Sequence, residues 1–213
     1  MASSSSTVSV FYAHRFRKAH NEQLFYSYAR RRKVIPEVGF NLEEDEYPEI
    51  MEQIALRGWR RLAAPRTDIS KLLVQEFYAN AAMFDEEATV QEKLLLDEVL
   101  ANLCIPGATW KLSSSQPPVP IQLRKTETQP LARGWQEFII HSLVPTGNKS
   151  KITTSRAILI HAIMQGEDVR AEEIIADNMV TIAQGLASKG NLAHPSTIYK
   201  LCKDVGVPFE GIH

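Results

Sequence analysis

The chain has 213 residues, with 24 lysines and arginines against 25 aspartates and glutamates, for a formal charge of −1. That length suits one domain with its own core, and 44% hydrophobic with 23% charged residues argues against wholesale disorder. The molecule as a whole has no net field to draw it to nucleic acid or to an anionic membrane, so such binding needs a local patch.

Residues 1–19 are Ser-rich, lack any acid and carry Arg15, Arg17 and Lys18. They read as a flexible leader, with a plastid transit peptide as the alternative. From His20 the apolar positions Leu24, Phe25 and Tyr28 predict a helix, which Pro36 stops. It ends in Arg30, Arg31, Arg32 and Lys33, the candidate nucleic-acid contact or nuclear-import signal. The competing reading is a solvated helix end whose cations suit the negative pole of the dipole. Residues 37–52 hold seven acids and no Lys or Arg. Within them Pro48 opens a second helix, with Glu49 in its first turn and Ile50, Met51, Ile54 and Leu62 as its apolar side. Gly58 inside that helix costs ~1 kcal/mol relative to alanine and demands a structural reason.

Asp68 is the expected N-cap of the next helix, and Ile69, Leu73, Phe77, Ala81 and Phe84 form its stripe. A further helix is expected over 91–103, with Leu95, Leu96, Val99, Leu100 and Leu103 recurring at three and four. Pro106 and Gly107 end it. The stretch 107–130, Pro- and Ser-rich and then polar, reads as a long loop or linker. It is expected to divide the chain into an N-terminal helical part, 20–106, and a C-terminal one, 131–207, with 208–213 as a tail.

The C-terminal part is the more regular. Trp135, Phe138, Ile139, Ser142 and Leu143 mark one helix closed by Pro145. The next, opened at Thr153, Thr154 or Ser155, is apolar nearly all round and belongs inside a core. Asp168 is the expected cap of a long helix bearing Ile174, Ile175, Met179, Ile182 and Leu186. Pro195 and Ser196 start the last helix, with Ile198, Leu201, Cys202 and Val205 inward and Gly206 at its C′ position. Strand-like alternation is scarce. The fold class expected is all-α, about seven to eight helices in two groups, burying Phe77, Phe138, Ile160 and Ile182.

Cys104 and Cys202 each lie among apolar residues and read as buried, reduced thiols. No Cys/His spacing suits a zinc site, and the acids of 43–46 and 85–87 form no evident two-metal cluster. His141 and His161 sit on apolar helices, where a satisfied core histidine is the bland reading and a metal or catalytic role the sharp one. Trp59, Trp110 and Trp135 read as packing residues, with Trp110 alternatively a partner anchor. Motifs for a nucleophile elbow, a phosphate loop or a zinc protease are lacking. The longest apolar run, 157–164, falls far short of the ~20 residues that span a bilayer.

Several stretches, in order, carry a family likeness: ArgGlyTrpArgArgLeu (57–62), LeuValGlnGluPheTyrAlaAsnAla (73–81) and ValLeuAlaAsnLeuCysIlePro (99–106). It continues through GlyTrpGlnGluPheIleIleHisSerLeuValProThr (134–146), ThrSerArgAlaIleLeuIleHisAlaIle (154–163) and ProSerThrIleTyrLysLeuCysLysAspValGlyVal (195–207). Together these resemble the putative plant transposon protein domain, a helical domain of plant retrotransposons and of host genes derived from them. The stretch 82–94 is shorter and more acidic than is usual there. The resemblance implies a helical fold, and it transfers no reaction, cofactor or catalytic residue. The function expected is therefore non-enzymatic, by contact with an unidentified protein or by self-association, inside the cell in nucleus or cytoplasm. The alternatives are a nucleic-acid-binding module using residues 15–33 and an unrecognised enzyme around His141 or His161.

Overall fold

The computed structural model describes residues 15–40, 47–81, 96–187 and 190–207. Within these lie nine α-helices: α1 Ala19–Ser27, α2 Pro48–Leu56, α3 Arg60–Ala63, α4 Lys71–Ala81, α5 Leu96–Leu103, α6 Pro130–Phe138, α7 Thr154–Met164, α8 Ala171–Gln184 and α9 Pro195–Asp204. Three short strands accompany them, β1 Lys111–Leu112, β2 Pro120–Arg124 and β3 Lys151–Thr153. The leader residues 1–14, the acids of 43–46 and 85–87, Phe84, the short stretch 82–94 and the tail 208–213 lie outside the described residues.

The fold is mostly helical but not all-α. The strands form an antiparallel sheet in the order β1-β2-β3, with Leu123 opposite Ile152 and Arg124 opposite Lys151. Two of them fall inside the stretch expected to be a loop. The strands have two, five and three residues, too short for a period of two to stand out. The alternation is nonetheless present: Leu123 and Ile152 are buried, while Arg124, Lys151 and Thr153 face water.

The expected two groups of helices interleave around one core. Helix α4 packs against α1 on one side and α8 and α9 on the other, and α7 packs against α5, α6 and β2. An aromatic cluster joins the halves directly: Phe138 meets Phe40 edge-on at 5.4 Å, Trp59 in a stack at 5.8 Å and Trp135 edge-on at 5.8 Å. Of the four core residues expected, Phe138 and Ile160 are fully buried, whereas Phe77 and Ile182 are half-buried. On α4 the buried positions are Leu73, Val74, Gln75, Tyr78 and Ala79. The helix is sandwiched and turns its face toward the neighbour that accepts the Tyr78 hydroxyl, the carbonyl of Ala193 at 3.1 Å.

Gly58 ends a helix instead of sitting inside one. It adopts φ +69°, its amide donates to Ala55 O (3.1 Å), and the Trp59 amide donates to Ile54 O (2.8 Å). This is a Schellman closure, which needs a left-handed residue and so explains the glycine. The same pair of bonds closes α9 around Gly206, as its position in the sequence implied. Helix α8 begins at Ala171, three residues beyond the expected cap Asp168. Asp68 likewise lies outside α4 and forms a two-point fork with Arg66 at 2.5 and 2.6 Å. Helix α6 runs on into a π-turn, Ile139–Leu143, whose Ser142 hydroxyl donates to Leu62 O at 2.8 Å.

Candidate functional site

The expected helix does not reach the basic run: α1 stops at Ser27, a 3-10 turn covers Ala29–Arg31, and the run is partly absorbed into the fold. Arg30 is exposed, its guanidinium 5.9 Å from the Tyr26 ring. Arg32 donates to the carbonyls of Leu186 (2.8 Å) and Gly190 (3.0 Å), at the negative end of α8. The backbone here is seated too: Gln75 Nε2 donates to the carbonyls of Arg30 and Arg32, and the Leu192 amide donates to Lys33 O. Arg31 and Lys33 point to solvent. Arg15, at the described start of the chain, pairs with Glu76, and Phe16 is buried against Phe25.

Behind this strap lies a polar cluster in which Glu37 and His194 are buried and Asn178 is half-buried. His194 has no exposed surface and a left-handed backbone at φ 56°. Its Nε2 meets Asn178 Oδ1 at 2.8 Å, and its Nδ1 lies 3.7 Å from Glu37 Oε1. The other Glu37 oxygen accepts the Ser196 amide at 2.7 Å, in the first turn of α9, where a carboxylate suits the exposed N–H groups. Burial, followed by the charge of Glu37, pushes the Tyr78 hydroxyl above its ordinary range. These groups tie residues 33–37 to α9.

His141 and His161 occupy different settings. His161 is buried between α5 and α7, with Asn102 Nδ2 donating to its Nδ1 at 3.0 Å. His141 has its Nε2 3.0 Å from Lys149 Nζ and 3.7 Å from Glu137, which also pairs with Lys125. Burial, then Lys149, holds the His141 pKa below its usual value. Both thiols are raised, Cys104 to about 11 by burial and Glu127, and Cys202 by burial alone, so both are protonated and inert at neutral pH.

Two larger open features lie among the described residues, besides a small pocket of about 190 Å³ beside Arg32, Ile182 and Leu192. The first is a mainly apolar groove between α4 and α9, about 420 Å³, lined by Leu73, Phe77, Leu201, Val205 and Val207 together with the polar Arg15, Arg17, Glu76 and Asn80. Leu201 and Val205, expected inward, are 45% and 77% exposed. Ile198 and Cys202 form the buried row of α9, which leaves the next row on the surface. The second is a cleft of about 670 Å³ on the outer side of the sheet, where Trp110 lies among Lys111, Arg124 and Lys151. The sequence carried its signal. Residues 99–166 contain seven lysines and arginines against two acids, a local charge of +5 in a chain of −1.

The chain is thus a mostly helical domain with a small antiparallel sheet and a single core. A family model, the putative plant retrotransposon-related domain, matches residues 55–208, and the chain belongs to that family. No curated protein and no solved structure matches it. The matched span runs from the last two residues of α2 past the end of α9, and takes in the cleft and the apolar lining of the groove but not Arg15 and Arg17.

Proposed function

We propose that this domain is non-enzymatic and works by self-association, with the groove between α4 and α9 as the contact between copies. The observation that carries the reading is the exposure of Leu201 and Val205, one turn apart, beside a groove lined by Leu73, Phe77 and Val207. Knob and hole occupy one surface, which a two-fold axis makes complementary to itself. Burying a Val or Leu side chain fully is worth roughly 1.5–3 kcal/mol, and a two-fold contact engages each anchor twice. Support for a non-catalytic role comes from the ionisable groups. In the set around His194, Glu37 and His194 are buried with Asn178 half-buried, the His141 set is taken up by the Glu137–Lys125 pair and Lys149, and both thiols are raised above their ordinary range. The alternative seat for function, Arg30 to Lys33, has less support because Arg32 is bound to two carbonyls.

Sedimentation equilibrium of the full chain over a wide concentration range tests this. A reversible dimer is expected, weakened at least tenfold by Leu201→Asp, since the loss of one anchor per copy exceeds ~1.4 kcal/mol. A chain that stays monomeric throughout, or a Leu201→Asp chain that associates unchanged, overturns the proposal.

A further inference from the structure

We infer that the outer face of the three-stranded sheet binds single-stranded nucleic acid, at a site separate from the self-association groove. The pleat sets the face. With Leu123 and Ile152 turned to the core, Arg124 and Lys151 turn outward, and Lys111, opposite Gln122, joins them. Arg124 and Lys151 are direct cross-strand partners, with Cβ atoms roughly 4.5–5.5 Å apart. Lys111 lies on the diagonal from Arg124, roughly 7–8 Å away. Like charges placed directly opposite one another repel, so this pairing works against the sheet unless an anion lies over it. Glu127 offsets it in part, 3.3 Å from an Arg124 side chain that is still 78% exposed. Among the described residues Lys111 and Lys151 have no carboxylate partner.

Trp110 decides which polyanion fits. Its Nε1 donates to Leu96 O at 3.2 Å, which fixes the half-buried indole between the core it packs against and the cleft it lines with the three cations. An aromatic face next to a cationic track is the arrangement that holds unpaired bases, each stacking on the ring while phosphates meet the lysines and arginines. Duplex DNA would offer phosphates and no free base for the ring, and an acidic peptide would leave the ring unused. Thr109, Gln122, Thr126 and Ser150, with the one carboxylate Glu127 that pairs with Arg124, complete the cleft. At about 670 Å³ it falls within the range of ligand sites.

The test uses the full chain and fluorescein-labelled oligothymidine and oligouridine, read by anisotropy and by tryptophan quenching. Trp59 and Trp135 are buried, so quenching by the oligonucleotide reports on Trp110. Three phosphate contacts give a log–log salt slope of about −2. Lys111→Ala, Arg124→Ala and Lys151→Ala are exposed changes; each should lower the slope by about 0.7, and together they should abolish binding. Trp110→Phe should weaken binding severalfold and remove the quenching, while Leu201→Asp, which tests self-association, should leave binding intact. Binding to either oligonucleotide with this pattern supports the site, and a preference between them identifies the sugar. Failure to bind both at low salt, unchanged binding in the triple variant, or equal competition by duplex DNA or polyglutamate overturns it.

Discussion

Replacing Gly134 with alanine places a methyl group 2.5 Å from Ile50 Cδ1, at the crossing of α6 and α2. The helix itself favours the change, because alanine is better than glycine in a helix interior by about 1 kcal/mol. Ile50, however, is fully buried, and forcing an extra carbon into a packed core costs about 1–3 kcal/mol. The net expectation is a loss of about 1 kcal/mol. Ile50→Val removes the obstructing carbon at a cost of about 0.5–1.5 kcal/mol by itself. In that background the next contacts of the new methyl are Tyr47 ring atoms at 3.7 Å, an ordinary van der Waals distance. There Gly134→Ala should stabilise by about 1 kcal/mol, a reversal of sign and a coupling of about 2 kcal/mol. Urea unfolding of the four proteins, with equal m-values, measures it. Stabilisation by Gly134→Ala in the parent chain, or additive effects in the double variant, would refute close approach as the reason for this glycine.

Gln136 is fully buried, and among the described residues neither of its amide atoms has a hydrogen-bond partner. Gln136→Met, similar in shape, should raise stability by about 1–3 kcal/mol, and a lower unfolding midpoint would show that the amide is satisfied. The depressed pKa of His141 makes the unfolded chain the better proton acceptor. Its contribution to stability is therefore intact above the unfolded value near 6.5 and declines as the pH falls through and below it. Histidine Hε1 NMR titration should show His141 protonating below that value, and Lys149→Met should move its midpoint up. An unmoved midpoint would remove Lys149 as a cause.

Strongly periodic segments with proline starts or glycine stops were readable in the sequence, whereas Asp68 and Asp168, expected as caps, lie outside α4 and α8. The apolar α7, the Pro195 start of α9 and its Gly206 closure stand where the pattern puts them, because each signal is local. Gly58 was visible too, but its role depends on a φ that periodicity cannot report. The sheet escaped because none of its strands exceeds five residues and β2 meets β3 only across the whole of α6. The face of α4 escaped because neighbours on both sides, not its own stripe, choose which residues are buried. Both open features have sequence signals that become meaningful only in the fold. The charge excess of 99–166 needs the pleat to gather three of its cations, and Leu201 and Val205 need α9 to dock by its other row.

Hydrogen exchange of α9 and α4, followed by mass spectrometry while the chain is diluted, tests self-association most directly. Amides around 201–207 and on the groove side of α4 should exchange faster as the protein is diluted, while those of α7 stay constant. Exchange independent of concentration, or protection that changes only elsewhere, would contradict a contact built on Leu201 and Val205.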